Sequence, residues 1–152
     1  MPNVALIFVP TVNIGGAENF LLKMTKGILP YVDAVHIVFL TGSELGKWAE
    51  LQNDKTFFHL THQSRERSGL MPVIKIIRKL SKENNIIYSF SSHTHCNSLL
   101  GLLRSIKSLN VRHLIFRESN IIAQRQKGLK YLLFWLFYFL FYILKKLLAS
   151  HY

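Results

Sequence analysis

Short, mostly apolar runs alternate along the chain with stretches in which apolar residues recur every three or four positions. The runs are Val4–Val9, Ala34–Leu40, Thr56–Leu60, Ile86–Phe90 and Val111–Phe116. A run that is apolar at successive positions, and not at every second one, predicts a strand buried on both faces. The intervening periodicity predicts helices. Residues 17–29 place Phe20, Met24 and Ile28 on one stripe with Leu21 beside it. Residues 70–82 place Leu70, Val73, Ile74, Ile77 and Leu80 on one face, with Ser68 as the N-cap and Pro72 in the first turn, where its missing N–H has no intrahelical partner to lose. Residues 98–109 turn Leu99, Leu102, Leu103 and Ile106 inward.

Strand–helix alternation of this kind predicts an α/β fold, a Rossmann-like parallel sheet of about five strands with helices on both faces. Ligands of such sheets sit beyond the carboxyl ends of the strands, so the loops that matter are 10–16, 61–69, 91–97 and 117–128. There is no internal repeat and no low-complexity linker.

The last segment follows a different pattern. Every residue from Tyr131 to Leu144 is apolar or aromatic, with Lys127 and Lys130 before it and Lys145 and Lys146 after it. Fourteen helical residues cover about 21 Å, short of the roughly 30 Å hydrocarbon core of a bilayer. A core or partner-facing helix and a true span are the alternatives. The bracketing lysines, with Trp135 and the tyrosines, suit an interfacial helix whose stems snorkel and whose rings sit at headgroup level. The expected organisation is a domain over residues 1–128 with an apolar, basic helix over 129–152 belonging to it.

Charge sharpens this picture. The chain has 152 residues and a formal net charge of +11. Beyond Glu83 the only acidic residue is Glu118, whereas Arg104, Lys107, Arg112, Arg117, Arg125, Lys127, Lys130, Lys145 and Lys146 all lie beyond residue 100. Such a surface attracts anionic lipid, phosphorylated small molecules or nucleic acid. Nucleic acid is disfavoured, because the cations are not interleaved with exposed aromatics in a recognisable module. The single cysteine, Cys96, allows no intrachain disulfide and fits a reducing compartment. The N-terminus lacks the basic region and small-residue cleavage site of a secretory signal.

The candidate chemistry gathers at three strand ends. Gly15 and Gly16 lie between the first strand and the first helix. Having no Cβ, they permit positive φ and the close approach of a sugar or phosphate to helix N–H groups; a tight turn is the alternative. The adjacent glycines do not make a dinucleotide fingerprint, and no Walker A loop follows. Ser91–Asn97 carries His93, His95 and Cys96 at the end of the fourth strand. No further ligands at zinc spacing accompany them, so no metal is expected. Arg117 ends the fifth strand facing the same crevice, suited to phosphate or carboxylate. His59 and His62 flank the third strand and read as loop or surface residues.

The opening strand, the Gly15-Gly16-Ala17-Glu18 turn and the helix after it resemble the start of the family 4 retaining glycosyltransferases, of GT-B architecture. His95 falls at that family's usual histidine after the fourth strand. Arg117 and Ser119 resemble the arginine–serine pattern of members that build bacterial surface polysaccharides. The resemblance implies an acceptor-side N-terminal domain that passes a sugar from a nucleotide-sugar donor to a glycan acceptor, often lipid-linked, with no cofactor. It implies that Gly15, Gly16 and Glu18 line the cleft near the donor, that His95, with His93 beside it, contacts the transferring sugar, and that Arg117 and Ser119 contact phosphate or acceptor. It also implies a cytoplasmic protein docked on the inner face of the cell membrane through Lys127, Lys130, Trp135, Lys145 and Lys146. The family's second domain carries two glutamates eight positions apart, and no two acidic residues here have that spacing. The expectation is therefore an N-terminal half alone, a fragment or one part of a split enzyme whose C-terminal half another chain supplies. The competing expectation is a non-catalytic membrane-associated scaffold.

Overall fold

In the computed structural model, which describes residues 1–117, the apolar runs form one five-stranded sheet. Ser119, the Tyr131–Leu144 segment with its four flanking lysines and Trp135, and the proposed division at residue 128 lie outside the described residues. In chain order the elements are β1 (Asn3–Thr11), α1 (Gly16–Ile28), β2 (Ala34–Thr41), β3 (Thr56–His59), α2 (Glu66–Glu83), β4 (Asn85–Ser92), α3 (Thr94–Ser105) and β5 (Val111–Arg117), with 3-10 turns at Leu29–Tyr31 and Gly46–Leu51. The strands lie side by side as β3-β2-β1-β4-β5, and every pairing is parallel.

Alternation along β1 divides the core between the two faces of the sheet. Leu6 and Phe8 meet Val73 and Ile77 of α2 and Leu100 and Leu103 of α3. Ala5, Ile7 and Val9 meet Leu21 and Leu22 of α1 on the other face, where Trp48 packs edge-on to Phe39 at 5.4 Å. β1 is buried on both faces because it is central. The chain adds β2 and then β3 on one side of β1, crosses back through α2, and adds β4 and β5 on the other side. The order therefore reverses between β1 and β4, and two successive connections splay apart there to leave a crevice.

Three helices differ from the periodicity reading. The buried side of α1 is Glu18, Leu21, Leu22 and Thr25, while Phe20 stands 39% exposed. Thr25 joins the core because its hydroxyl donates to the Leu21 carbonyl (2.7 Å). α2 starts a turn before residue 70, with Arg65 and not Ser68 at its N-cap, so Pro72 is an interior residue and removes one helical hydrogen bond. Its first turn is polar, which hid it from a hydrophobic pattern. Glu66 there is favoured by the helix dipole, and Gly69 packs directly on the end of β2. α3 starts at Thr94, not Ser98, straight from the strand end. Its inward face is Cys96, Leu100 and Leu103, and Leu102 and Ile106 point to solvent.

The histidine of β3 also departs from expectation. His59 is half-buried, and its Nε2 lies 3.0 Å from His36 Nδ1 of β2, with the Phe57 ring stacked on His36. Burial, and then the nearby His59 charge, lowers the His36 pKa to about 4. Burial, and then Lys79, lowers that of His59. On acidification the unfolded chain takes up these protons from about pH 6.5, while the folded chain resists until lower pH. The contribution is intact above pH 6.5 and is lost as pH falls toward about 4. Urea midpoints should therefore drop across that window, and the His36→Gln/His59→Gln double variant should flatten the drop. An unchanged slope in the double variant would assign acid sensitivity to other groups.

Candidate functional site

The β1–β4 reversal brings the loop after β1 against the end of β4. β1 ends at Thr11, and the next regular element is α1, opening at Gly16 after the N-cap Gly15. Neither glycine has positive φ; Gly15 is extended at φ −100°. The expectation of a left-handed glycine turn is thus corrected. The reason for glycine at 15 is steric: a Cβ there would lie 2.9 Å from Glu18 Oε2. At Gly16 a Cβ would meet nothing within 4 Å among the described residues.

Glu18 is the hinge of this corner. It is 5% exposed, and its Oε2 accepts the Gly15 N–H at 3.0 Å. That is the glutamate half of a capping box; glycine has no side chain to supply the other half. The other carboxylate oxygen, Oε1, lies 3.5 Å from His93 Nε2. The carboxylate therefore ties the loop after β1 to the end of β4.

His93 is the single residue between β4 and α3, and it has φ 107°. A non-glycine residue there costs on the order of 1–3 kcal/mol and persists only when its surroundings hold it. Its Nδ1 donates to the Ser92 carbonyl, and Nε2 faces Glu18. The predicted loop 91–97 is thus mostly regular structure: Ser91 and Ser92 belong to β4, and Thr94 to Asn97 open α3. Ser91 Oγ donates to Asn97 Oδ1 (2.5 Å), and Asn97 Nδ2 donates to the Arg117 carbonyl (3.4 Å), which fastens the ends of β4 and β5 together.

The predicted residues separate into two groups. Gly15, Glu18 and His93 converge, whereas Arg117 of β5 contacts α1 separately, its guanidinium 4.1 Å from the centre of the Phe20 ring. His95 lies beyond them. Its ring is 5.9 Å from that of His93, but its Nε2 is 3.9 Å from Glu66 Oε1, in the first turn of α2. Cys96 does not sit on a strand end. It is buried in α3, where burial, and then the carboxylates of Glu66 and Glu18, push its thiol up, leaving it no nucleophile. Sequence reasoning missed Phe20, Glu66 and Asn97. Asn97 alone had a signal, a polar residue closing the Ser91–Asn97 segment after the fourth strand.

The N-termini of α1 and α3 therefore meet through Glu18 and His93, with Arg117 over Phe20 on α1. That arrangement attracts an anion and hydrogen-bonds a polyol. Among the described residues no group of three or more His, Cys, Asp or Glu is placed to hold a metal ion, and no helix is long and apolar enough to cross a membrane. No family model, no curated protein and no solved structure matches the chain.

Proposed function

We propose that this domain is the acceptor-side half of a glycosyltransferase, which moves a sugar from a nucleotide-sugar to a glycan or lipid-linked acceptor at the inner face of the membrane. The observation that carries the reading is the convergence of Gly15, Glu18 and His93 where the strand order reverses, with Arg117 over Phe20 of the same α1. In a parallel sheet that is where ligands bind. The two helix N-termini and Arg117 would stabilise the charge developing on a departing diphosphate. The imidazole of His93, held by Ser92 and Glu18, would pack its ring against the sugar. The nucleotide would be held by a donor-binding half, in another domain or another chain. The basic residues and the Tyr131–Leu144 sequence support a location against anionic lipid.

Gly16 tests this reading directly, because a Cβ there would meet no atom of the described residues within 4 Å. Gly16→Leu should keep the wild-type melting temperature or raise it slightly. Transfer of labelled sugar to membrane lipid extract, with the protein expressed from its natural reading frame, should fall about 100-fold, since a side chain in the crevice displaces the substrate. Full transfer by a stably folded Gly16→Leu variant would remove the crevice from the reaction.

A further inference from the structure

β5 closes one side of the sheet, and no strand pairs with its outer edge among the described residues. It is seven residues long, about 23 Å at 3.3 Å per residue, and holds neither glycine nor proline. Only Val111 is buried. Ile115 and Phe116, one on each face, are 43% and 44% exposed. α3 adds to this bare surface. Leu102 and the C-cap residue Ile106, which periodicity alone turns inward, are 48% and 52% exposed. Leu114 packs on the core that α3 covers, so Phe116, two positions on, stands on that same face. An apolar strand edge left open is a template for another strand.

The order of residues along β5 fits this edge to a copy of itself. A two-fold axis through Leu114 pairs two copies antiparallel and sets Arg112 opposite Phe116, His113 opposite Ile115 and Val111 opposite Arg117. Every basic side chain then meets an apolar or aromatic one, and the Arg112 guanidinium gains a ring to lie on. A parallel neighbour in register would instead set Arg112 against Arg112 and Arg117 against Arg117, which like charges oppose. Because the axis is perpendicular to the sheet, each face stays on its own side. Leu102, Ile106 and Phe116 of one copy therefore face the same three residues of the other, and apolar surface left bare in one copy is covered by the second. We infer that β5 is a homodimer interface, which joins two five-stranded sheets edge to edge. The inference goes beyond the transfer reading and does not depend on it.

Cysteine substitutions in the full chain read the register. Leu114→Cys sets a thiol opposite its own copy, with the Cβ atoms about 5 Å apart. Dibromobimane, which bridges thiols that close, should convert it into a covalent dimer on a denaturing gel. Arg112→Cys is out of step with its own copy and should give no dimer alone, but should cross-link when mixed with Phe116→Cys. The native Cys96 is buried and stays silent. Arg112 and Phe116 are both exposed, so the mixed pair answers the question even where Leu114→Cys folds poorly. Ile106→Lys should cut the dimer yield about tenfold and leave the melting temperature in place, since it puts a charge into the apolar seam. Added salt should raise the yield, because each copy carries a formal charge of +11. A mixed pair that stays monomeric, Arg112→Cys dimers as abundant as those of Leu114→Cys, or a yield that Ile106→Lys leaves unchanged would each overturn the inference and give the open edge to a different partner.

Discussion

Gly69→Ala should unfold this domain, or lower its stability by about 4 kcal/mol or more, although it adds one methyl group. A Cβ on residue 69 would lie 1.9 Å from the Leu40 carbonyl oxygen and 3.0 Å from its carbon, so backbone meets side chain and no rotamer relieves the clash. The carbonyl is also held in place, since Thr61 Oγ donates to it at 2.8 Å. To accept alanine, the first turn of α2 would have to lift from β2, opening the face where Val73 and Ile77 meet Val38 and Leu40. The check is a urea midpoint, or the soluble yield where the variant does not fold, against Gly27→Ala as a glycine change with open space around it. A Gly69→Ala midpoint close to wild type would mean that α2 does not sit on β2 this closely.

Glu18→Ala should have the largest effect on function. The buried carboxylate accepts the Gly15 N–H and faces His93 Nε2, so its loss orphans a donor on one side of the crevice and releases the imidazole on the other. The expected cost is about 1–2 kcal/mol in stability, typical of a lost cap and a stranded polar group. Transfer should fall by roughly 100-fold to 1,000-fold, since two supports of one site go together. Gly15→Ala should reproduce part of the loss, because its Cβ would press on the same carboxylate oxygen at 2.9 Å. The ring resonances of His93, followed with the transfer rate, separate a misplaced imidazole from general unfolding. Wild-type transfer by a folded Glu18→Ala variant would show that the link between β1 and β4 has no part in the reaction.

Much of the fold was legible because strands buried on both faces leave a local mark. The runs at Val4, Ala34, Ile86 and Val111 each predicted a strand within a residue or two of its observed ends. Helix starts were harder. The opening turn of α2 is polar and that of α3 carries no apolar stripe, so the hydrophobic period began a turn late in both. The candidate residues could be named from the chain, but their grouping could not. His93 and His95 are two positions apart, and the resemblance gave the leading role to His95, yet His93 faces Glu18 and His95 faces Glu66. The positive φ of His93, which separates them, depends on contacts distant in sequence.

Taken alone, the order of residues determined the class of fold, the presence of five strands and the concentration of chemistry at three strand ends, since each follows from hydrophobic periodicity and short-range turn signals. The tertiary structure decided where the strand order reverses, and hence that Gly15, Glu18 and His93 meet across a single crevice. It also decided that Phe20 leaves the core to carry Arg117. These are contacts between elements far apart in the chain. They depend on which strand comes to lie beside β1, and no local pattern contains that information.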